Sequence, residues 1–396
     1  MKIAYVTSQY PFGPGEAFLH AEAEALSRLS GDVVVIPTRP KSRQSQHADL
    51  TARVLRLGPW APRTFMLAAL EASSHPGRAL KALVRVLAIP YRPSTKLKNL
   101  AIFPMALAVA RAIRAERIEH VHAHWLSTPS TVAYVAATMT GVKWSCTAHR
   151  FDIFEDNLLT QKVSSAAFVR AISARNRDLI VSLSGDGTSA RCPVVHLGVD
   201  LPQHASPLLQ NATLRILSPA ALVPVKGHRH LIEALAILRS SGVAFTCDLV
   251  GDGPLRKTLQ DQIASLGLSG DVHLRGAVAH DRLMGELTGG TYDVVVLAST
   301  ESGTEFEGIP VALMEAMAAG IPCVATDTGS ISELIDDAAC STLVAQRDPK
   351  ALAAAIAAHV DVPRRRQLGE RARERVVQAF DVRETTRQLY RMMCAS

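Results

Sequence analysis

Residues 305–334 read EFEGIPVALMEAMAAGIPCVATDTGSISEL, a loop, a helix and a strand in succession. Pro310 suits the first turn of a helix, where a missing N–H costs nothing, and Gly320 suits its C-terminal stop. Ala312 to Ala319 between them are mostly strong helix formers. The apolar run Cys323–Ala325 that follows reads as a buried strand. Two carboxylates, Glu307 and Glu315, are separated by seven residues that include Gly308 and Pro310. Glu307 therefore belongs to the loop before the helix and Glu315 to the helix itself. The helix N-terminus between them presents free backbone N–H groups, which suit a phosphate. An ordinary buried helix with a solvated glutamate would satisfy the same spacing.

Outward from this unit, short β-branched or apolar runs alternate with helical patterns along the whole chain, which predicts an α/β fold with parallel sheets. The first series of strands is Ile3–Thr7, Val33–Pro37, His120–Ala123, Trp144–Thr147 and Phe168–Ile172. The second is Leu214–Leu217, Thr246–Val250, Val272–Leu274, Val294–Leu297 and Cys323–Ala325. Helical patterns include Ala17–Leu29, Arg229–Ser240 and Leu255–Ser265. The polar, proline-containing stretch 200–207 separates the two series and reads as a linker. With 396 residues the chain is long enough for two cores, since a single core stops growing near roughly 250–300 residues. The expected domains are 1–205 and 206–379, each doubly wound, with residues 380–396 as a final helix. In such sheets ligands bind outside the carboxyl ends of the strands, so residues in loops after strands carry the chemistry.

Composition narrows the class. Hydrophobic content of 48% fits a globular protein. Six scattered cysteines without a C-x-x-C pair point to reduced thiols in a cytosolic compartment, and against zinc or a disulfide framework. The apolar start, Ile3 to Val6, is too short for a signal peptide, and Ala101 to Ile113 is too short to span a bilayer. The net charge of +7 is uneven, +10 over residues 1–205 (24 Lys/Arg, 14 Asp/Glu) and −3 over residues 206–396 (19 and 22). Residues 72–115 hold eight Lys/Arg and no acid. Within them Leu80, Leu83, Val84 and Leu87 follow helical spacing, with Arg78, Lys81 and Arg85 mostly off that stripe. Such a helix either lies peripherally on an anionic membrane or packs its stripe on its own domain. Nucleic acid is disfavoured, since no nucleic-acid motif appears and aromatics are scarce.

The pattern Glu-x7-Glu with Met314-Glu-Ala-Met-Ala-Ala-Gly320, Pro322 and Thr326-Asp-Thr-Gly329 resembles the signature of the retaining GT-B glycosyltransferases of family 4. Val225-Lys-Gly-His228, Val250-Gly-Asp-Gly-Pro-Leu-Arg256 and His196-Leu-Gly-Val-Asp200 match in order and spacing. His122-Ala-His124 and Thr147-Ala-His-Arg-Phe-Asp152 match more loosely, and together the markers cover residues 1 to 390. The set is closest in pattern to bacterial exopolysaccharide and colanic-acid-type enzymes. It implies two Rossmann-like domains facing across a cleft, an N-terminal acceptor domain and a C-terminal donor domain, with the last helix crossing back to the first.

The resemblance also implies roles. Lys226 would contact the donor diphosphate, with Gly227 allowing close backbone approach. Glu315 would hold the ribose hydroxyls, and Glu307 the donor sugar. Gly303, Thr304, Gly308 and Ile309 would offer backbone contacts, and Gly251 and Gly253 would shape a turn near the base. His149 resembles the family histidine near the anomeric centre, so His149, Glu307 and Lys226 form the catalytic set. Gly13, Gly15, Glu16, His124 and Asp152 are the acceptor-side residues. No metal and no cofactor is implied beyond a nucleotide-diphosphate sugar, UDP- or GDP-linked. The family arginine five residues before the lysine is replaced by Ala221, which removes half of the usual cationic clamp. The expected activity is metal-independent transfer to a glycan or polyprenyl-linked acceptor in bacterial polysaccharide biosynthesis, by a cytoplasmic protein reaching the inner membrane face. The alternatives are transfer to a small soluble acceptor, or a catalytically weak module that only binds a nucleotide sugar.

Overall fold

The computed structural model describes residues 1–42, 44–45, 50–87, 92–207, 213–336 and 340–396. It divides into two compact units, one formed by Met1–Gly198 with Val382–Ser396 and the other by Val199–Asp381.

The first unit is built on a six-stranded parallel sheet. Its strands are β1 (Ile3–Thr7), β2 (Val33–Pro37), β3 (Arg53–Val54), β4 (His120–His124), β5 (Lys143–Ala148) and β6 (Val169–Ala171), in the order β3-β2-β1-β4-β5-β6. Its helices are α1 (Leu19–Ser30), α2 (Pro62–Ser74), α3 (Pro76–Leu87), α4 (Pro93–Glu116), α5 (Thr128–Thr140), α6 (Arg150–Phe154), α7 (Leu159–Ser165) and α8 (Ala174–Ser184). β1 is buried along its whole length. It sends Ala4 and Val6 into the core on one face and Ile3 and Tyr5 into that on the other, as the period of a strand requires.

The second unit repeats the plan. Its strands are β7 (Leu214–Pro219), β8 (Phe245–Val250), β9 (Val272–Gly276), β10 (Val294–Leu297), β11 (Cys323–Thr326) and β12 (Thr342–Val344), in the order β12-β11-β10-β7-β8-β9 and all parallel. The helices are α9 (His228–Ser240), α10 (Arg256–Ser265), α11 (His280–Thr288), α12 (Val311–Ala318), α13 (Ile331–Leu334), α14 (Pro349–Ala357) and α15 (Val362–Ala379). The last helix, α16 (Val382–Ala395), belongs to the first unit, where Leu389 and Met393 join the cluster around Ile3, Tyr5 and Leu26.

Both sheets reverse strand order at a defined point, between β1 and β4 in one unit and between β7 and β10 in the other. Outside the carboxyl ends of those strands lies the crevice where open α/β sheets bind ligands. The chain there is Thr7 onward and His124 onward in the first unit, and Pro219 onward and Leu297 onward in the second.

The apolar stripe of α3 is divided between inside and outside. Helix α3 buries Ala82 and Val86, and it leaves Leu80 and Val84 exposed beside Lys81 and Arg85. Of the four stripe residues, Leu80 and Val84 are thus exposed, while Leu83 and Leu87 are half-buried. Small residues let the helix approach its neighbours closely, and that close approach turns the larger side chains out. Residues 88–91 of the basic segment lie outside the described residues.

Candidate functional site

In the second unit, the loops after β7 and β10 bring together two side chains that stand 81 positions apart. Lys226 ends a single 3-10 turn, Pro224–Lys226, and donates from Nζ to Glu307 Oε1. Ser299 Oγ donates to the same carboxylate oxygen at 3.0 Å. Glu307 is 8% exposed, so its charge is compensated by the lysine and a hydroxyl instead of bulk water.

The backbone of Glu307 is fixed from behind by the Thr326-Asp-Thr-Gly turn. Ser330 N–H donates to the Glu307 carbonyl at 3.2 Å, and Gly329 N–H donates to the Glu301 carboxylate. Gly329 has φ +61, and a Cβ there would lie 1.8 Å from the Glu307 carbonyl oxygen. Thr326 Oγ1 donates to the Ser299 carbonyl at 2.5 Å, tying the same turn to the residue that supports Glu307.

Between Glu301 and Pro310 the chain forms a narrow loop in which Ser302 and Glu305 exchange backbone hydrogen bonds of 2.9 Å. Gly303 and Thr304 are its exposed tip, Gly308 is half-buried and Ile309 is buried. Helix α12 then starts after Pro310, and its first N–H groups follow directly on the Glu307 loop. Glu315, on the second turn of α12, accepts from His280 Nε2 at 2.7 Å. That hydrogen bond raises the pKa of His280 above its ordinary value. Nothing in the sequence singled out His280, because its partner lies on another helix.

Gly251 and Gly253 follow β8 and abut the segment Ala220–Leu222. Ala220 N–H donates to the Val250 carbonyl at 2.9 Å and Leu222 N–H to the Asp252 carbonyl at 3.0 Å. A Cβ at Gly251 would meet the Ala220 carbonyl oxygen at 2.1 Å, so these glycines are wedges holding the loop that leads to Lys226. Ala221 is exposed in that loop.

The first unit gathers a different set at the carboxyl ends of β1, β4 and β5. Tyr5 donates its hydroxyl proton to Glu22 Oε1 at 2.7 Å. Arg170 Nη1 donates to Glu22 Oε2 at 2.5 Å. Burial alone would raise the pKa of Glu22, but the Arg170 guanidinium and the Tyr5 hydroxyl outweigh it and hold the carboxyl below its usual range. Because the Tyr5 proton is spent on Glu22, the His124 Nδ1 at 3.0 Å must be the donor to the phenolic oxygen. His124 Nε2 is then an acceptor, and His149 Nε2, 2.6 Å away, donates to it. Burial pushes both imidazoles down, His149 to about 3, so each is neutral. The tautomer of His149 is thus assigned by a chain of bonds that begins at Glu22 and Arg170.

Around this chain, Trp125 lies 4.2 Å from the His149 ring and 5.6 Å from that of His124, centroid to centroid, and Phe18 meets both imidazoles edge-on. Trp125 has φ +87, an uncommon backbone for a large residue, and its indole N–H donates to Glu16 at 2.6 Å. The other oxygen of Glu16 accepts from the N–H groups of Gln9 and Tyr10, each at 2.7 Å, in the loop that holds Gly13 and Gly15. Asp152 is likewise spent on backbone, accepting from Leu126 N–H at 2.5 Å and His149 N–H at 2.7 Å. Glu16 and Asp152 therefore shape the loops around His149: Glu16 spends one oxygen on the Trp125 indole and the other on backbone N–H groups, and Asp152 spends both on backbone. His122, on the same face as His124, gives both ring nitrogens to Ser145 and Thr147, at 2.8 and 2.9 Å.

Sequence reasoning missed Tyr5, Glu22, Arg170 and Ser299. A charged residue inside the apolar strand β6 marks Arg170 as buried and paired, but its partner is visible only once β1, β4 and α1 are adjacent. Also missed was Lys162, fully buried, whose ammonium donates to the carbonyls of Leu126 and Ser127 at 3.1 and 2.8 Å.

Residues 202–375 match the family model described as glycosyl transferases group 1. The putative colanic acid biosynthesis glycosyltransferase WcaL of Salmonella typhimurium is 35% identical over 229 residues, covering 54% of this chain and 56% of its own length. The amylovoran biosynthesis glycosyltransferase AmsK of Erwinia amylovora is 37% identical over 165 residues, 41% of this chain and 40% of that protein. The chain thus spans about half the length of the curated relatives it matches. Among solved structures, Anabaena Alr3699/HepE in complex with UDP has a TM-score of 0.74 at 19% identity, with both chains fully covered. Sucrose-phosphate synthase from Thermosynechococcus elongatus has a TM-score of 0.73 at 17% identity, again over both whole chains. These likenesses show the fold. The Lys226–Glu307 cluster lies inside residues 202–375, the part of the chain that matches glycosyl transferases group 1, and the chain as a whole has the GT-B fold.

Proposed function

We propose that the protein is a retaining, metal-independent glycosyltransferase that moves a sugar from a nucleotide-diphosphate donor to a glycan or lipid-linked acceptor in bacterial polysaccharide biosynthesis. The observation that carries this reading is the Lys226–Glu307 pair, set at the switch point of the second sheet, immediately before the N-terminus of α12. A lysine ammonium has three donors, so Lys226 can keep Glu307 while it binds a phosphate oxygen. Developing charge on the leaving diphosphate would then be met by Lys226 and by the first N–H groups of α12. Glu307, held by Lys226 and Ser299, is suited to accept from a sugar hydroxyl and to position the donor, not to attack as a free nucleophile. Glu315 would take the ribose hydroxyls after exchanging its bond to His280.

In the first unit, His149 is the acceptor-side candidate, neutral and fixed in orientation by His124 and Tyr5. No cofactor enters this reading besides the nucleotide sugar. That the structural neighbours HepE were solved with UDP and with UDP-glucose favours a UDP-linked donor. Two further elements of the proposal are a cytoplasmic location and contact with the inner membrane face. Among the described residues no helix is long and apolar enough to cross a membrane.

Ala221 favours the second reading, a module that binds a nucleotide sugar without turnover. A thermal-shift screen against UDP, GDP, ADP and dTDP and their sugars, followed by donor turnover with and without EDTA, separates the two. Stabilisation by one nucleotide with EDTA-resistant turnover and an α-to-α or β-to-β product by NMR supports transfer. Stabilisation without turnover favours the binding module, and no shift with any nucleotide refutes both.

A further inference from the structure

We propose that α2, α3 and the first turns of α4 form a docking face for an anionic lipid bilayer, into which their exposed apolar side chains insert. The inference rests on the lipid-linked-acceptor reading above and gives that acceptor its route. Among the described residues fourteen large hydrophobics are exposed, and eight of them fall between residues 60 and 100. They are Trp60, Phe65 and Met66 with Leu70 on and before α2, Leu80 and Val84 on α3, and Leu97 and Leu100 on α4. Trp60, Leu80 and Leu97 are 70%, 63% and 69% exposed, and the Trp60 and Phe65 rings lie 6.4 Å apart. Single exposed apolar residues need no explanation, whereas a concentration of this kind marks an interaction surface.

The charge on the same surface selects the partner. Residues 60–100 hold seven Lys/Arg and one acid, Glu71. Glu71 is buried and bound by Arg114 at 3.1 Å, so it adds no negative charge outside. Arg63, Lys81, Arg85 and Lys98 are exposed between the apolar side chains. A second copy of this face would repel the first, and a protein partner would need a matching acidic apolar surface. An anionic bilayer offers both phases at once, with headgroups for Lys and Arg and acyl chains for Leu, Val and Phe. Trp60 is a residue type that favours the boundary between them.

The face is also tied to the candidate site of its own unit. Lys98 donates to Glu155 at 2.9 Å and Asn99 to Asn157 at 2.7 Å, which joins the start of α4 to the segment just after α6. Helix α6 is capped by His149, and its Phe151 is exposed with the Arg150 guanidinium 3.9 Å over the ring. An acceptor anchored in the bilayer would therefore present its headgroup next to the His149 loop.

The test is flotation of the full chain with phosphatidylcholine vesicles and with vesicles carrying about 30% phosphatidylglycerol, alongside Trp60 fluorescence. The wild type should bind the anionic vesicles with a blue shift in emission that W60F removes. The variant L80S/V84S/L97S should lose about tenfold or more of its vesicle partition, and R63E/K81E should lose most of the salt-sensitive part. Both variants should keep the nucleotide thermal shift and soluble donor hydrolysis, which shows that the fold and the donor site are intact. Absence of binding to anionic vesicles, or binding unchanged in the serine variant, overturns the proposal. So does a wild-type dimer that the serine variant dissolves, because the face would then be a self-interface. Loss of donor hydrolysis in the wild type would instead count against the enzyme reading and leave the vesicle result standing by itself.

Discussion

Replacing Gly329 by alanine tests how tightly the Glu307 carboxylate is held by its supporting turn. Two costs add at this position. The left-handed backbone at φ +61 penalises any residue with a Cβ by about 1–2 kcal/mol. The new methyl would also lie 1.8 Å from the Glu307 carbonyl oxygen, so turn and loop must separate by more than about 1 Å before repulsion relaxes. That movement pulls Glu307 away from Lys226 and Ser299, and a misplacement of about 1 Å near a reacting centre can cost on the order of 100-fold in rate. The comparison is Gly31→Ala, which has φ +75 with nothing within 4 Å of the added methyl and lies at the C-terminus of α1. Urea unfolding and donor turnover should be measured on both variants. Gly31→Ala should lose only the backbone cost, about 1–2 kcal/mol, and keep wild-type turnover. Gly329→Ala should lose more stability and about two orders of magnitude in turnover. Wild-type turnover in Gly329→Ala would refute the idea that this turn sets the position of Glu307.

Three further outcomes are expected. Lys226→Ala should lower turnover by about 100-fold or more, since it removes a charged donor to the leaving phosphate and strands Glu307; steady-state kinetics with near-normal kcat would contradict the role. His280 should make nucleotide affinity pH-dependent. Its pKa is raised by the hydrogen bond to Glu315, so that bond is complete below pH 6.5 and is lost as pH climbs through the raised value. Affinity by calorimetry should accordingly improve with pH in the wild type and be flat in His280→Ala, and a parallel slope in both would exclude the competition. Asp152, pushed up to about 7 mainly by burial, against the lowering effect of its two backbone N–H bonds, contributes stability that is full below about pH 4 and lost towards pH 7. Unfolding free energy should therefore fall over that interval in the wild type, and Asp152→Asn should lack that component of the slope.

Much of the architecture was legible because a parallel sheet writes itself as short apolar runs, and ten strands lie where those runs are. β3 and β12 were not, since they are two and three residues long and their residues are partly exposed. The Lys226–Glu307 pair was legible for a similar reason: both residues sit in loops that follow strands, and Gly329 lies in the Thr326-Asp-Thr-Gly turn. The environment of His149 was not, because it depends on register. Tyr5 stands opposite His122 in the β1–β4 pairing, and only that adjacency puts its hydroxyl beside His124. The orientation of α3 escaped for a different cause. A helical stripe of leucines says that one face is apolar but not whether it turns inward, and here alanine and valine take the inner positions.

Helix α16 makes the first unit discontinuous in sequence, and that bears on how the chain is made. Leu389 and Met393 complete the cluster around Ile3, Tyr5 and Leu26, yet they leave the ribosome after all of residues 199–381. The unit that begins first is thus finished last. Nascent chains usually fold N-terminal domains ahead of later ones, but here the second unit can mature while the first still shows an apolar groove on one side of its sheet. During that interval the groove is open to solvent, and shortening the chain by a few turns of α16 would damage the sheet of the first unit in preference to the second unit, which lies next to α16 in sequence.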